Sequence, residues 1–440
     1  MDETVVVAGA GLAGLVAARH LAEEGADVIV YERRHEVGGR VRTQKRDGFT
    51  FDRGFQVLFT GYPAVRRELD VDELDLRQFD PGAVIARRGE RSTLSDPIRD
   101  PKSLLATLRN DEVTLTDKVR TLALRQHVGD IAEETSAGRR TRSGDASERR
   151  LFEGPDTSIR EYLREWGFSE DYIENFVAPF YGGITLDRSL STSKRVFEAT
   201  FKALSNGRIG VPAEGMQAIP EQLAEKARRA GAEIRLETGV ESVENHEGGV
   251  TVRTTAETVE ADAAVVAADP KESLRLSGVD EIPTTARTST TQYYRVPAGT
   301  DLDTGRKLLV NAENDAPNTV APMSKIAPEY APDDYELLSA TFLGAAAADK
   351  SAMELAADTR RTLKSWYPDR SFGPVESVQT DRIRFAQFDQ PPGVHDRLPD
   401  ARAPGGWTYL AGDYTTWSSI QGAMRSGREA ADAVAYDLRL

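Results

Sequence analysis

The feature that most constrains this chain is its first 32 residues. A short apolar run, Val5-Val6-Val7-Ala8, leads into Gly9, Gly11 and Gly14. A helix-like stretch then reaches Gly25, and a second apolar run from Val28 to Tyr31 delivers Glu32. Strand, glycine turn, helix, strand and acid fall in register within about 30 residues, the pattern of a βαβ dinucleotide-binding unit. Each glycine has a separate reason to be there. Gly9 permits the tight turn, Gly11 lets the backbone approach a phosphate, and Gly14 lets the helix pack on the strand. The helix starting near Leu12 presents free N–H groups and a positive dipole end to an anion. Glu32 is placed to accept from ribose hydroxyls and would repel a phosphate there, which favours FAD or NAD over a phosphorylated nucleotide.

A second glycine turn separates FAD from NAD. Arg33 follows the acid, and Gly38-Gly39-Arg40-Val41-Arg42-Thr43 adds a fixed cation. Arg40 offers a planar fork of donors suited to a phosphate. At the far end, Ala411-Gly412-Asp413 closes an apolar run, and Gly422-Ala423 with Ser426-Gly427 opens a last helix.

Gly9-Ala10-Gly11-Leu12-Ala13-Gly14, Glu32-Arg33, Gly38-Gly39-Arg40 and Ala411-Gly412-Asp413 together resemble the flavin-containing amine oxidase superfamily, which also holds the phytoene desaturases and protoporphyrinogen oxidases. The resemblance runs from end to end and is not specific to one substrate. Asp52-Arg53-Gly54-Phe55-Gln56-Val57-Leu58 with Tyr62-Pro63, Pro179-Phe180-Tyr181-Gly182-Gly183-Ile184 with Leu190-Ser191, Ser324-Lys325-Ile326-Ala327-Pro328 with Tyr330-Ala331-Pro332, and Ala386-Gln387-Phe388 are similar to segments of desaturase-like members. That branch is favoured over true amine oxidases.

The resemblance implies an α/β fold. A Rossmann-like FAD domain, with a central parallel sheet in a three-layer β/β/α stack, interleaves with a mixed α+β substrate domain. Residues 1–82, 208–280 and 385–440 would form the FAD domain. A helical insertion, 83–207, and a strand-rich one, 281–384, would form the substrate domain. Gly215-Met216-Gln217-Ala218-Ile219-Pro220 resembles the entry to a helix over about 220–230, leading to a strand at 232–236; the run 263–268 closes the layer.

By the same resemblance the cofactor contacts are Gly9, Ala10, Gly11, Leu12, Ala13, Gly14, Glu32, Arg33, Gly38, Gly39, Arg40, Gly54, Phe55, Gln56, Val240, Gly412, Asp413, Gln421, Gly422 and Ala423. Val240 matches the residue whose backbone meets adenine in relatives. Asp413 would meet the ribityl chain or diphosphate, and the helix from about Gly422 would aim its positive end at the flavin's pyrimidine edge, favouring the reduced ring. Lysines near a flavin assist oxidation in relatives, which makes Lys325 a candidate catalytic side chain by position, set against the favoured reading of a solvated surface lysine. The expected reaction is hydride abstraction from a C–H bond held at flavin N5. A desaturase would leave a carbon–carbon double bond in a hydrophobic, isoprenoid-like substrate, and an amine oxidase an imine. Tyr414 and Trp417 could supply the aromatic pair of the amine reading. Other classes of the fold are a flavin-dependent mutase, for which Arg306, Arg382 and Arg384 are candidate sugar-diphosphate ligands, and a flavin-free escort. The intact glycines and Glu32 argue against the escort.

Composition sets further limits. A net charge of −15 over 440 residues argues against nucleic acid and acidic lipid as general partners and suits a solvated, high-salt surface. With no cysteine, disulfides, thiolate chemistry and a cysteinyl flavin link are excluded, so FAD is expected to be bound non-covalently. His20, His35, His127, His246 and His395 have no metal-ligand spacing. No run reaches the roughly 18 apolar residues of a membrane span, and the start has no signal-peptide pattern, so a cytoplasmic protein is expected. Leu104, Leu105 and Leu108 at helical spacing mark a core stripe or a peripheral membrane contact. Residues 134–149 read as a mobile polar loop. Gly248-Gly249 reads as a hairpin turn and not as a second nucleotide motif, so the electron acceptor is expected to be oxygen, a quinone or another carrier.

Overall fold

The computed structural model describes residues 3–94, 114–133, 144–314 and 316–440. Its central sheet has five parallel strands in the order Glu233–Arg235, Asp27–Tyr31, Thr4–Ala8, Ala263–Val266, Thr408–Leu410. Thr4–Ala8 lies in the middle with both faces covered. Val5, Val6 and Val7 are therefore all fully buried, and the run is continuously apolar instead of alternating.

The helices Leu12–Glu23, Ala218–Ala230 and Ile420–Leu438 pack together, the first touching both others. Glycine permits the closest approach: a Cβ on Gly427 would stand 2.2 Å from the Ala13 carbonyl oxygen. The opposite face of the sheet carries the antiparallel meander Val240–His246, Gly249–Thr254, Thr258–Ala261, with Val250, Val252 and Ala261 packed on Val6, Tyr31 and Ala264. This is the three-layer β/β/α stack. Gly248, at φ +91°, makes the expected hairpin turn. The helix expected over 220–230 begins earlier, at Ala218, and the strand over 232–236 narrows to Glu233–Arg235.

A second sheet has seven strands in the order Glu376–Phe388, Ala286–Pro297, Tyr335–Leu343, Thr319–Pro322, Leu308–Asn311, Ala83–Arg87, Glu90–Leu94. Its last two strands form a hairpin from the stretch expected to open a helical insertion. Ala83, Val84, Ile85 and Ala86 are buried, and they pair in parallel with Leu308–Asn311, a contact between chain segments too distant for any local pattern to reveal. Helices follow at Leu115–Glu133, Ile159–Glu165, Ala178–Thr185 and Lys194–Asn206. The expected loop over 134–149 is corrected in its last part, because Gly144–Leu151 is helical. Residues 134–143 and the Leu104, Leu105, Leu108 stripe lie outside the described residues. Among the described residues no helix is long and apolar enough to cross a membrane.

Candidate active site

A cavity of about 730 Å³ opens at the carboxyl ends of the parallel strands, the usual place for a ligand in an open α/β sheet. Chain leaving four strands converges on it: Gly9 to Ala13 after the first, Glu32 to Arg34 after the second, Ala267 to Asp269 after Ala263–Val266, and Gly412 with Asp413 after Thr408–Leu410. Gly9 holds φ +116°, and a Cβ there would lie 2.7 Å from the Ala267 carbonyl oxygen. Gly11 is different. It is extended, lies on the wall, and its added Cβ would meet no protein atom within 4 Å. That side chain would fill the cavity itself.

The helix Leu12–Glu23 has no side-chain cap and no acid in its first turn, so its leading N–H groups have no side-chain partner. A diphosphate suits this cradle of bare backbone and dipole. Beside it, the Glu32 carboxylate is 7% exposed. The Ala10 N–H donates to its Oε2 and the Arg34 N–H to its Oε1, each at 3.0 Å. Both oxygens keep lone pairs for hydroxyl donors. The residues present fit the adenosine diphosphate half of FAD.

The chain's two ends meet across the cavity. Arg40 Nη2 lies 2.5 Å from Asp413 Oδ1, Arg40 Nη1 donates to the Ala386 carbonyl at 3.3 Å, and Ser418 donates to Asp413 Oδ2 at 2.7 Å. The fork expected to face a phosphate is thus engaged by Asp413, a partner 373 residues away in sequence. Gly54 and Phe55 are pinned by N–H bonds to Asp381 and Thr291, and Gln56 Nε2 donates to the Arg40 carbonyl at 3.2 Å.

Most residues expected at the cofactor line this wall: Gly9, Gly11, Leu12, Ala13, Glu32, Arg33, Gly38, Gly39, Arg40, Gly54, Phe55, Gln56, Val240, Gly412, Asp413 and Ala423. Four stand behind it. Ala10 orients Glu32 through its N–H, while Gly14 seats its helix, since a Cβ there would be 2.0 Å from the Gly9 carbonyl oxygen. Gln421 is fully buried and bonds the Ala64 N–H and Glu148. The Gly422 N–H donates to Ser419 Oγ at 2.8 Å, so part of that helix end is capped by protein.

Lys325 is a correction. It lies on the short helix Met323–Ile326, off the cavity wall, and its Nζ pairs with Glu336 Oε1 at 3.0 Å. Tyr414 is another, because its ring is fully buried and its hydroxyl lies 2.9 Å from Ser273 Oγ and 3.1 Å from the Val266 carbonyl, inside the sheet layers. Trp417 does reach the wall and donates to Glu148 at 2.7 Å, but without Tyr414 no aromatic pair forms from the two. Of the three arginines considered for a sugar diphosphate, Arg306 pairs with Asp80 away from the cavity, while Arg382 and Arg384 line it.

Sequence reasoning passed over Arg34 and Arg53, which also line the cavity. Arg53 stands inside a segment already singled out and Arg34 directly follows Glu32-Arg33, so adjacency was the available signal. Glu148 carried none: its role behind Trp417 comes from tertiary packing.

The family model for flavin containing amine oxidoreductase matches residues 12–435. The chain belongs to that family. It is 25% identical over 480 residues to 15-cis-phytoene desaturase of Arabidopsis thaliana, covering 99% of this chain and 80% of the relative. To 15-cis-phytoene desaturase of Synechococcus elongatus it is 26% identical, covering 98% and 95%. The solved structure of cyclohexylamine oxidase from Brevibacterium oxydans superposes with a TM-score of 0.65 at 19% identity over the whole of both chains, a likeness of fold. This member of the family is an FAD-dependent oxidoreductase, acting on a small molecule together with an electron acceptor.

Proposed function

We propose that this protein desaturates an elongated apolar, isoprenoid-like substrate, with FAD held non-covalently. The carrying observation is the chemistry of the cavity wall. Four carboxylates line it, Glu32, Asp269, Glu272 and Asp413, and each is already engaged. Glu32 takes two backbone N–H groups, Asp269 faces Arg33, Glu272 faces Arg275, and Asp413 holds Arg40. Three of the four are thus paired with arginine, and the acceptor capacity that Glu32 keeps faces the ribose end. Among the residues that line the wall are Phe55, Phe79, Phe180, Ile184, Ile209 and Leu308. Apolar side chains of this kind bind hydrocarbon by removing it from water, at about 25 cal/mol per Å² buried.

Bound FAD supplies the two-electron oxidation, and the substrate gives up two hydrogens to leave a carbon–carbon double bond. The chain's own residues provide placement. Phe55 and Phe79 meet edge to face at 6.2 Å, and Tyr62 meets Trp417 likewise at 5.8 Å, giving rigid surfaces that orient a hydrocarbon and exclude water. Burial pushes the Tyr62 hydroxyl well above its ordinary pKa, so it stays neutral. The helix Ile420–Leu438 begins at the wall, where its positive end favours negative charge. No histidine among the described residues lines the cavity and the chain has no cysteine, so neither common covalent anchor is at hand.

The test is anaerobic mixing of the purified holoprotein with a polyunsaturated isoprenoid hydrocarbon in micelles and, separately, with an amine panel. Loss of flavin absorbance with the hydrocarbon supports the reading. Bleaching by amines alone overturns it. Acid precipitation should release all the flavin into the supernatant.

A further inference from the structure

The face of the seven-stranded sheet that borders the cavity is part hydroxyl and part hydrocarbon, and a bare hydrocarbon matches only the second part. We propose that Ser289, Thr341 and Thr319 form a neutral hydroxyl clamp that receives an oxygen function, a hydroxyl or a carbonyl, carried by the isoprenoid-like substrate. This rests on the desaturation reading above and narrows its substrate to an oxygenated chain.

Strand register fixes which side chains share that face. Thr341 stands directly opposite Thr291 on one side and Thr319 on the other, and Asp381 stands opposite Thr291. Beyond Thr319 the opposed residues are Val310 and then Ile85. Directly opposed residues point to the same side of a sheet, and so does Ser289, two positions before Thr291. One row therefore runs from Asp381 through three threonines to Val310 and Ile85. Its apolar end packs with Phe180 and Leu308, which are themselves on the cavity wall.

Thr291 already has a partner, since its Oγ1 accepts from the Phe55 N–H at 3.1 Å. Ser289, Thr341 and Thr319 line the cavity, are 7%, 4% and 4% exposed, and their hydroxyls make no hydrogen bond among the described residues. Water can satisfy them while the site is open. A hydrocarbon that displaces this water leaves them without partners, each unmade bond weakening binding by about fivefold or more. A substrate oxygen replaces what the water supplied, and because a hydroxyl both donates and accepts, an alcohol and a carbonyl both fit. Charge narrows the choice further. Asp381 ends the row as a carboxylate that accepts from Gln379 Nε2 at 2.9 Å and from the Gly54 N–H at 3.4 Å, so an acid placed along the row would meet a like charge.

The test is anaerobic titration of the holoprotein in micelles with geranylgeraniol, a hydroxyl-ended isoprenoid, and with the hydrocarbon that differs from it only in lacking the hydroxyl. Binding is read from the shift of the flavin absorption bands. The wild type should bind the alcohol about 5- to 30-fold more tightly, the gain of one to two neutral hydrogen bonds. Combining Ser289→Ala, Thr341→Val and Thr319→Val should bring the two affinities within about twofold of each other, with the flavin content and the unliganded flavin spectrum as in wild type. Should that protein fold poorly, a preference that drops in Thr341→Val and is kept in Thr341→Ser supports the clamp; the same preference in both overturns it. Equal affinities in the wild type, or a preference that survives in the folded triple variant, also overturn it. So does loss of flavin or an altered unliganded spectrum, which would give the hydroxyls to the cofactor. Bleaching by amines alone sinks the desaturation reading itself and is a separate outcome, because the affinity ratio is read without turnover.

Discussion

Two glycines three residues apart should respond oppositely to the same substitution. In Gly14→Val the new Cβ would sit 2.0 Å from the Gly9 carbonyl oxygen and 3.1 Å from Ala267 Cβ. Neither a backbone oxygen in a tight turn nor a packed methyl can yield, so the helix Leu12–Glu23 must move outward by about 1 Å and loosen its seat on the central strand. Overpacking of this kind costs about 3 kcal/mol or more, a large part of the 5–15 kcal/mol that holds a typical domain. In Gly11→Val the Cβ meets nothing within 4 Å, and φ −76° with ψ 179° is open to any residue. The apoprotein should then lose no more than about 1 kcal/mol, the cost of a poorer helix cap. The valine occupies the space where backbone must approach the diphosphate, so FAD affinity should fall at least ~100-fold, or about 2.8 kcal/mol. Urea unfolding of both apoproteins and the flavin-to-protein absorbance ratio of both purified variants read these effects separately. A Gly11→Val protein that is as yellow as wild type, or that unfolds as early as Gly14→Val, would refute the reasoning.

Other perturbations follow from where side chains ended up. Tyr414→Phe should cost about 1 kcal/mol of stability, because its hydroxyl bonds to the Ser273 and Val266 oxygens; it should leave the rate of anaerobic flavin reduction within about twofold, and a larger drop would put the ring back at the substrate. Lys325→Met should likewise spare that rate, since its ion pair with Glu336 is off the wall and worth at most about 1 kcal/mol; loss of reduction would restore it as a catalytic residue. Burial pushes the His395 imidazole down to about 4 from 6.5. Between those values the unfolded chain takes up a proton that the folded one refuses. Stability should therefore fall as pH drops through that window, by at most about 1.4 kcal/mol per unit, and urea unfolding of His395→Asn should show the slope removed. Parallel profiles for variant and wild type would assign the acid sensitivity elsewhere.

The parts legible in the sequence are those specified by neighbours in the chain. The βαβ unit at the front follows from an apolar run, three glycines and an acid at short spacing, and the hairpin at Gly248 follows from turn chemistry. Both ends of the chain could be assigned to one cavity because each carries its own local motif. The parts that were not legible depend on contacts between distant segments. Arg40 was read as a phosphate ligand and does line the cavity, but nothing near it in sequence says that Asp413 shares its fork. Lys325 was a catalytic candidate only by position in its segment, and its short helix points its charge at Glu336. The apolar run at Ala83–Arg87 could not announce that it would pair with Leu308–Asn311. By itself the sequence determined the nucleotide-binding unit, the family and the lack of cysteine chemistry, since these need only residue type and short spacing. Tertiary structure alone decided which charges are paired and with what, because a side chain's electrostatic partner is set by distance in space.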